Sequence, residues 1–140
     1  MFKEKHVDER LRAVPGLQGC SDVDLARLGR HMDSTMIAAG RRLMTEGEPA
    51  REGFLIVSGT AVVTRNGEEL AQVGPGDIVG EMGLLDKAPR TATVTATTDL
   101  DVRAFSAPQF GALQDEDVFA RLLTRRLSAR LRAADEHVTS

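Results

Sequence analysis

The sequence is poor in aromatic side chains and carries no excess of positive charge. It contains no Trp and no Tyr, and its five Phe account for all of the 4% aromatic content. Stacking platforms for single-stranded nucleic acid are therefore poorly supplied. The formal net charge is −3 at pH 7, which argues against a protein that holds nucleic acid by bulk electrostatics.

Cysteine and long apolar runs are also scarce. The single cysteine, Cys20, cannot form an internal disulfide, which agrees with a reducing compartment. No run approaches the roughly 20 apolar residues that a membrane-spanning helix needs. The N-terminal stretch MFKEKHVDER is charged where a secretory signal has an apolar core. We therefore expect a cytoplasmic protein that does not enter a membrane.

Residues that support several kinds of catalysis are missing from the centre of the chain. The three histidines, His6, His31 and His137, all lie outside the central β-rich segment, whereas a β sandwich that binds a metal usually supplies several histidines from neighbouring strands. No Ser or Cys occupies a strand-to-helix elbow, and no glycine-rich loop ends in Lys-Ser or Lys-Thr. We expect no catalytic residue, no metal and no cofactor.

At 140 residues the chain is long enough for one domain, which we take as residues 1–140. Its first part has helical patterns. VDERLRAV predicts a short helix that Pro15 and Gly16 terminate, and Ser21 with Asp24 forms a capping-box pattern at the start of SDVDLARLGRHM. The apolar side of this second helix is expected to consist of Val23, Leu25, Leu28 and Met32.

Between about residues 37 and 105 the pattern changes to short β runs separated by glycines. Asn66-Gly67 lies between two such runs and predicts a two-residue hairpin turn. Turn signals roughly ten residues apart indicate antiparallel strands in a sandwich or barrel. In the last run, side chains alternate between two faces of the strand. The face expected to be buried carries Ala92, Val94 and Ala96, and the face expected to be solvated carries Thr91, Thr93, Thr95 and Thr97.

The C-terminal part, about residues 106–137, returns to helix. Ser106 and Gln109 repeat the capping-box pattern, and Asp115 is expected to cap a longer helix. At 100° per residue, that helix places an apolar stripe on one side: Phe119, Leu123, Leu127 and Leu131. Its opposite face carries Arg121, Arg125 and Arg132. Arg126 and Arg130 project onto or beside the stripe, which is unusual for a helix that only faces a core.

The segment GEMGLLDKAPRTATV, residues 80–94, combines groups that suit an anionic sugar ligand. Gly80 and Gly83 flank what is predicted to be one helical turn through Leu85, whose free N–H groups would attract an anion. Arg90 offers a charged donor fork to phosphate oxygens, and Glu81 would accept a hydrogen bond from a sugar hydroxyl. The alternative is that Glu81 and Arg90 pair with each other in a surface loop.

The segment PGDIVGEMGLLDKAPRTATVTATTD resembles the phosphate-binding cassette of cyclic-nucleotide-binding domains, a pattern of G-E-hydrophobic-small-L followed after a short gap by R-S/T/A-A-x-V. The resemblance extends over about residues 11–135, because AAGRRLMTEGEPAREGFLIVSGTAVV is similar to the glycine-spaced strands that precede the cassette. It implies a mainly β fold with flanking helices, an antiparallel, jelly-roll-like β roll with an N-terminal helical bundle and C-terminal B and C helices.

The resemblance also implies roles for individual residues. Glu81 would bind the ribose 2′-hydroxyl, Arg90 the cyclic phosphate, and Thr91 would reach the phosphate beside it. Gly80 and Gly83 would lend backbone contacts. The apolar wall would consist of Met82, Ile78 and Val63. The residue that contacts the base is not determined, and the candidates are Thr124, Arg126, Ser128 and Arg130.

The function that this resemblance implies is that of a stand-alone regulatory sensor, which binds cyclic AMP or cyclic GMP and signals through movement of its C-terminal helix. The leucine stripe or the arginine face of that helix would contact a protein partner or a second copy of the chain. Because the chain ends about one helix after the β block, we expect no direct DNA binding. The alternative is an interaction or structural module of the same fold with a different ligand or none.

Overall fold

The computed structural model describes residues 7–124, which follow the predicted order of helix, β block and helix. The N-terminal part consists of a 3₁₀ helix, Glu9–Ala13, and helix α1, Asp22–Gly29. Ser21 caps α1 as predicted, since its side chain accepts a hydrogen bond from the Asp24 N–H at 3.1 Å. Leu25, Leu28 and Met32 are buried, but Val23 is 59% exposed, so its predicted place on the buried side is wrong.

The central block forms two four-stranded sheets in which all pairs are antiparallel. One sheet has the order β1-β8-β3-β6 and the other β2-β7-β4-β5. This confirms the predicted mainly antiparallel β fold, although the first strand begins at Asp33 rather than near residue 37. The strands are β1 Asp33–Ile37, β2 Arg42–Met44, β3 Glu52–Ser58, β4 Ala61–Arg65, β5 Glu68–Val73, β6 Ile78–Val79, β7 Thr93–Ala96 and β8 Leu100–Ser106.

The hairpin between β4 and β5 turns at Asn66-Gly67, as the sequence predicted. Both residues have positive φ, 53° and 80°, which is the conformation that a type I′ turn requires. Arg65 and Glu68 pair directly across the turn. The turn therefore fixes the position of the end of β4.

Alternation along the strands divides the buried side chains between two apolar clusters. In β3, Phe54 and Ile56 pack between the two sheets, whereas Leu55 and Val57 pack against the helices. The helix-facing cluster also contains residues from both termini of the described chain, among them Leu11 and Phe119. The roll is thus filled from inside and covered on one side by helices.

Helix α2, Ala107–Leu113, begins with the predicted capping box between Ser106 and Gln109. A further helix, α3, covers residues 117–124 of the described chain. It begins directly after Glu116, so the predicted cap by Asp115 lies one position too early. Within the part of the chain that the structure describes, no helix has both the length and the apolar composition needed to cross a membrane.

The first described residue of the predicted leucine stripe, Phe119, lies in the core. It is 0% exposed, and its ring meets those of Phe105 at 5.6 Å and Phe110 at 5.9 Å in edge-to-face contacts. Leu122 is also buried, and Leu123 is partly buried against the same cluster. The start of α3 is therefore part of the domain core, and the apolar side on which Phe119 was predicted to lie faces the domain itself at this position. The positions of Arg125, Leu127, Leu131 and Arg132 lie outside the described residues.

A network of ion pairs joins the N-terminal segment to β8. The Arg103 guanidinium donates from Nε to Asp8 and from Nη1 to Asp101, both at 2.6 Å, and Arg10 donates to the other oxygen of Asp101 at 3.0 Å. Burial alone would raise the pKa of Asp8, but the hydrogen bond and charge of Arg103 outweigh it and hold that pKa below its usual value. The network fixes the first described residues against the sheet.

Candidate functional site

Residues 80–90 connect β6 to the start of β7 through a series of turns. The structure has no helix here, so the expected helical turn through Leu85 is wrong. The Leu84 N–H donates to the Glu81 carbonyl at 3.3 Å, and the Ala88 N–H reaches back to the Gly83 carbonyl at 3.0 Å. The bond from Ala88 spans five residues, which is wider than an α-helical bond. A tight loop with its own internal bonds therefore replaces the helix.

Two positions in this loop require glycine. Gly80 and Gly83 have φ of 81° and 74°, a region that other residues rarely adopt. A Cβ on Gly80 would lie 2.6 Å from the Met44 side chain and 3.1 Å from Arg90 Nη2, and one on Gly83 would lie 2.9 Å from the Ala88 Cβ. The loop can fold this closely around Arg90 only because both side chains are absent.

Arg90 is held at both its backbone and its side chain. Its N–H donates to the Glu48 carbonyl and its carbonyl accepts from the Gly47 N–H, both at 2.8 Å. The guanidinium donates from Nη1 to the Gly80 carbonyl at 2.7 Å and from Nη2 to the Glu52 carbonyl. The residue is only 9% exposed. Arg90 is therefore a fixed, buried cation and not an exposed residue of a surface loop.

The charge of Arg90 is only partly compensated by its surroundings. Burial lowers the pKa of Arg90 below its ordinary value, and the nearby charge of Glu81 acts in the opposite direction. One carboxylate oxygen of Glu81, Oε2, is itself buried. A guanidinium has more N–H donors than its two bonds to backbone carbonyls use. An anion placed beside Arg90 would therefore be stabilised electrostatically.

A cavity of about 300 Å³ opens against this loop. The predicted acid, arginine and glycines line the cavity together with two of their neighbours; these residues are Gly80, Glu81, Met82, Gly83, Arg90 and Thr91. Its remaining walls are apolar and consist of Met44, Val63, Val79, Ala88, Pro89, Ala92 and Val94. The volume is at the lower end of the roughly 300–1,000 Å³ range of small-molecule sites, and an apolar cleft with a few convergent polar groups is their usual form.

The structure brings together seven of the eight residues that were predicted to hold the ligand. Ile78 is the exception, because its side chain is fully buried in the helix-facing cluster. Successive strand residues point to opposite faces, so Val79 faces the cavity instead. Thr124, a candidate for the base contact, lies on α3 with its hydroxyl donating to the Ala120 carbonyl at 2.9 Å, and it does not line the cavity.

The other three base-contact candidates, Arg126, Ser128 and Arg130, lie outside the described residues. Their roles remain predictions. Six wall residues were not among the predicted ligand contacts: Met44, Val79, Ala88, Pro89, Ala92 and Val94. Alternation places Ile78 and Val79 on opposite faces but does not decide which of them faces the cavity. Met44 reaches the cavity because β2 pairs with β7, with Met44 opposite Val94. No pattern in the sequence identifies that pairing.

The predicted alternation after Arg90 is correct for most positions but fails at Thr93. Val94 and Ala96 are buried and Thr91 is exposed, but Thr93 is only 6% exposed. Its hydroxyl accepts a hydrogen bond from the Glu46 N–H at 3.0 Å. A buried hydroxyl is tolerated when it is hydrogen-bonded, so Thr93 belongs to the supporting structure of the site.

Metal-binding side chains do not gather in the described part of the chain. Between residues 7 and 124, no group of three or more His, Cys, Asp and Glu side chains could hold an ion. The expectation that the protein needs no cofactor remains a prediction.

Comparisons with known proteins agree with this geometry. A family model described as "Cyclic nucleotide-binding domain" matches residues 35–117. The cAMP-dependent protein kinase regulatory subunit of Eremothecium gossypii is 36% identical over 114 residues, which are 80% of this chain and 25% of that protein. The CRP-like cAMP-activated global transcriptional regulator of Mycobacterium tuberculosis is 30% identical over 140 residues, covering 94% of this chain and 62% of the regulator.

Among solved structures, the Thermus thermophilus catabolite activator protein superposes with a TM-score of 0.71 at 26% identity. The match covers 89% of this chain and 62% of the activator protein. The chain thus spans about a quarter of the kinase regulatory subunit and less than two thirds of the two bacterial regulators.

Proposed function

The chain belongs to the cyclic nucleotide-binding domain family, and we therefore propose that it binds a cyclic nucleotide in the cavity beside Arg90. The first candidate for this ligand is cyclic AMP. Two relatives are described as cAMP-dependent and cAMP-activated, and this supports the choice of cyclic AMP. The cavity itself supplies a cation and a carboxylate, which suit a phosphate and a sugar hydroxyl.

One observation carries the proposal: a buried arginine and the carboxylate whose charge acts on it line the same, mostly apolar cavity. Arg90 and the Gly80–Gly83 backbone bind the phosphate, because a buried cation with spare N–H donors favours an anion. Glu81 accepts from a ribose hydroxyl. The base lies against the apolar walls, where Val63 and Val94 offer burial.

A second candidate, a module of the same fold with a different ligand or none, has one observation in its favour. The Arg90 guanidinium already bonds two backbone carbonyls, those of Gly80 and Glu52, so it stabilises the fold without any ligand. This structural role and phosphate binding are compatible, since further N–H groups remain. Only a titration separates the two candidates.

The experiment is isothermal titration calorimetry of the purified chain with cyclic AMP, cyclic GMP and, as a matched control, linear 5′-AMP. We expect cyclic AMP to bind with one site per chain and cyclic GMP to bind within about tenfold, or ~1.4 kcal/mol. The linear control should bind far more weakly, because its free phosphate arm loses more conformational freedom on binding than the ring-closed cyclic phosphate. Absence of heat with both cyclic nucleotides at millimolar concentration would leave the second candidate as the function.

We propose further that the domain acts as a sensor rather than as an enzyme. In the described chain, the ionisable side chains that line the cavity are Glu81 and Arg90, and recognition of sugar and phosphate accounts for both. Signalling through the C-terminal helix, a protein partner and a cytoplasmic location are parts of this proposal. Phe119 anchors the start of that helix in the core, so any movement would begin beyond this residue.

A further inference from the structure

A group of polar contacts outside the cavity holds the residues that follow Arg90. It joins the tip of the β4–β5 hairpin and the turn after β2 to residues 91–93. The Arg65 Nε donates to the Thr91 carbonyl at 2.9 Å, and the Glu46 N–H donates to the Thr93 hydroxyl at 3.0 Å. The predicted ligand contacts do not include either Arg65 or Glu46.

The strand register places Arg65 on the cavity side of β4. Val63, which lines the cavity, pairs with Val94, and Thr64 pairs with Thr93. Since side chains of one strand alternate between faces, Arg65 lies on the same face as Val63, one step nearer the end of the strand. Arg65 does not itself line the cavity, but its guanidinium holds the carbonyl of Thr91, which does.

Glu46 connects this tip to the backbone of Arg90. Its carboxylate accepts from the Asn66 N–H at 3.2 and 3.3 Å, in the turn next to Arg65. Gly47, the residue after Glu46, donates from its N–H to the Arg90 carbonyl at 2.8 Å. Residues from two other segments therefore hold the carbonyls of Arg90 and Thr91 and the hydroxyl of Thr93.

We propose that Arg65 is a positioning residue for the phosphate end of the site, with Glu46 as its support. By holding the Thr91 carbonyl, Arg65 fixes the peptide group between Thr91 and Ala92, one residue after Arg90, before any ligand arrives. A segment that is already ordered loses less conformational freedom on binding, so affinity is higher. This inference rests on the proposed function, because it concerns the binding of the same ligand.

The test compares cyclic AMP affinity, by calorimetry, for Arg65→Gln and Arg65→Lys. The control is Arg42→Gln, which removes an equal charge from an exposed arginine on β2 of the same sheet. We expect Arg65→Gln to bind about three- to tenfold more weakly, the loss that one hydrogen bond to a backbone carbonyl gives. Arg65→Lys keeps a charged donor and should recover part of the loss. The control should match the wild type.

Two readouts separate positioning from a general effect of charge. First, the ¹⁵N shift of the Ala92 amide in the ligand-free protein should move in Arg65→Gln and not in Arg42→Gln, because the Thr91 carbonyl belongs to the same peptide group. Second, the ratio of affinities between wild type and Arg65→Gln should persist from about 50 to about 300 mM salt, where long-range attraction is screened.

Several results would overturn the inference. They are an Arg65→Gln affinity equal to that of Arg42→Gln, an unmoved Ala92 shift, or a ratio that falls to one at high salt. Failure of the wild type to bind cyclic AMP would remove the proposed function as well. Normal binding by both wild type and Arg65→Gln would remove only the role of Arg65, so the two failures are distinguishable.

Discussion

Replacing Arg90 by alanine tests the two roles that the structure gives this side chain. As a phosphate ligand, the guanidinium would contribute charge-assisted hydrogen bonds of ~1.5–3 kcal/mol each. Two of its N–H groups already bond the Gly80 and Glu52 carbonyls, so we expect the guanidinium to donate only one or two such bonds to the phosphate. Arg90→Ala should then weaken cyclic AMP binding by about 3 kcal/mol, on the order of a hundredfold.

The same substitution should also lower stability, since it leaves the Gly80 and Glu52 carbonyls without their donor. An unsatisfied buried carbonyl costs ~1–3 kcal/mol, and water entering the cavity left by the side chain offsets part of this cost. We therefore expect the free energy of unfolding to fall by about 1–3 kcal/mol. Urea denaturation without ligand measures this quantity independently of binding.

Binding is then measured by calorimetry at a temperature where the variant is folded. Glu81→Ala should cost less affinity than Arg90→Ala, because its partner is a neutral hydroxyl. Arg51→Ala, at an exposed arginine just before β3, serves as the control for loss of positive charge. Affinity within twofold of the wild type in a folded Arg90→Ala protein would refute the assignment of Arg90 to the phosphate.

Two further predictions concern the core and the N-terminal ion network. Phe119→Ala should lower the free energy of unfolding by about 3–5 kcal/mol, because its ring is fully buried against Phe105; a loss below 1 kcal/mol in urea denaturation would contradict its place in the core. Arg103 lowers the pKa of Asp8 in the folded protein. The ionised carboxylate therefore stabilises the fold above its unfolded pKa of 3.8. This stabilisation is lost as the pH falls through the lower pKa of the folded state. The stability difference between wild type and Asp8→Asn should accordingly shrink below about pH 4 in pH-dependent thermal melts, and a difference that grows in acid would show that the sign is wrong.

The sequence alone determined features that depend on neighbours along the chain. Asn66-Gly67 specified its turn because only a few residues tolerate positive φ, and Ser106 with Gln109 specified the start of α2 because the cap needs side chains three residues apart. Gly80, Glu81 and Arg90 were identified together because their residue types and their spacing match one local motif. The family resemblance rests on this local spacing.

The tertiary structure decided which side chains face the ligand cavity and which face the core. Ile78 and Val79 are equally apolar in sequence, and only the positions of the two sheets and the helices assign one to each cluster. Met44 reaches the cavity through pairing between distant strands, and Phe119 is core because it meets rings from β8 and α2. Such contacts join segments far apart in the chain and depend on how the whole core packs, so no local pattern encodes them.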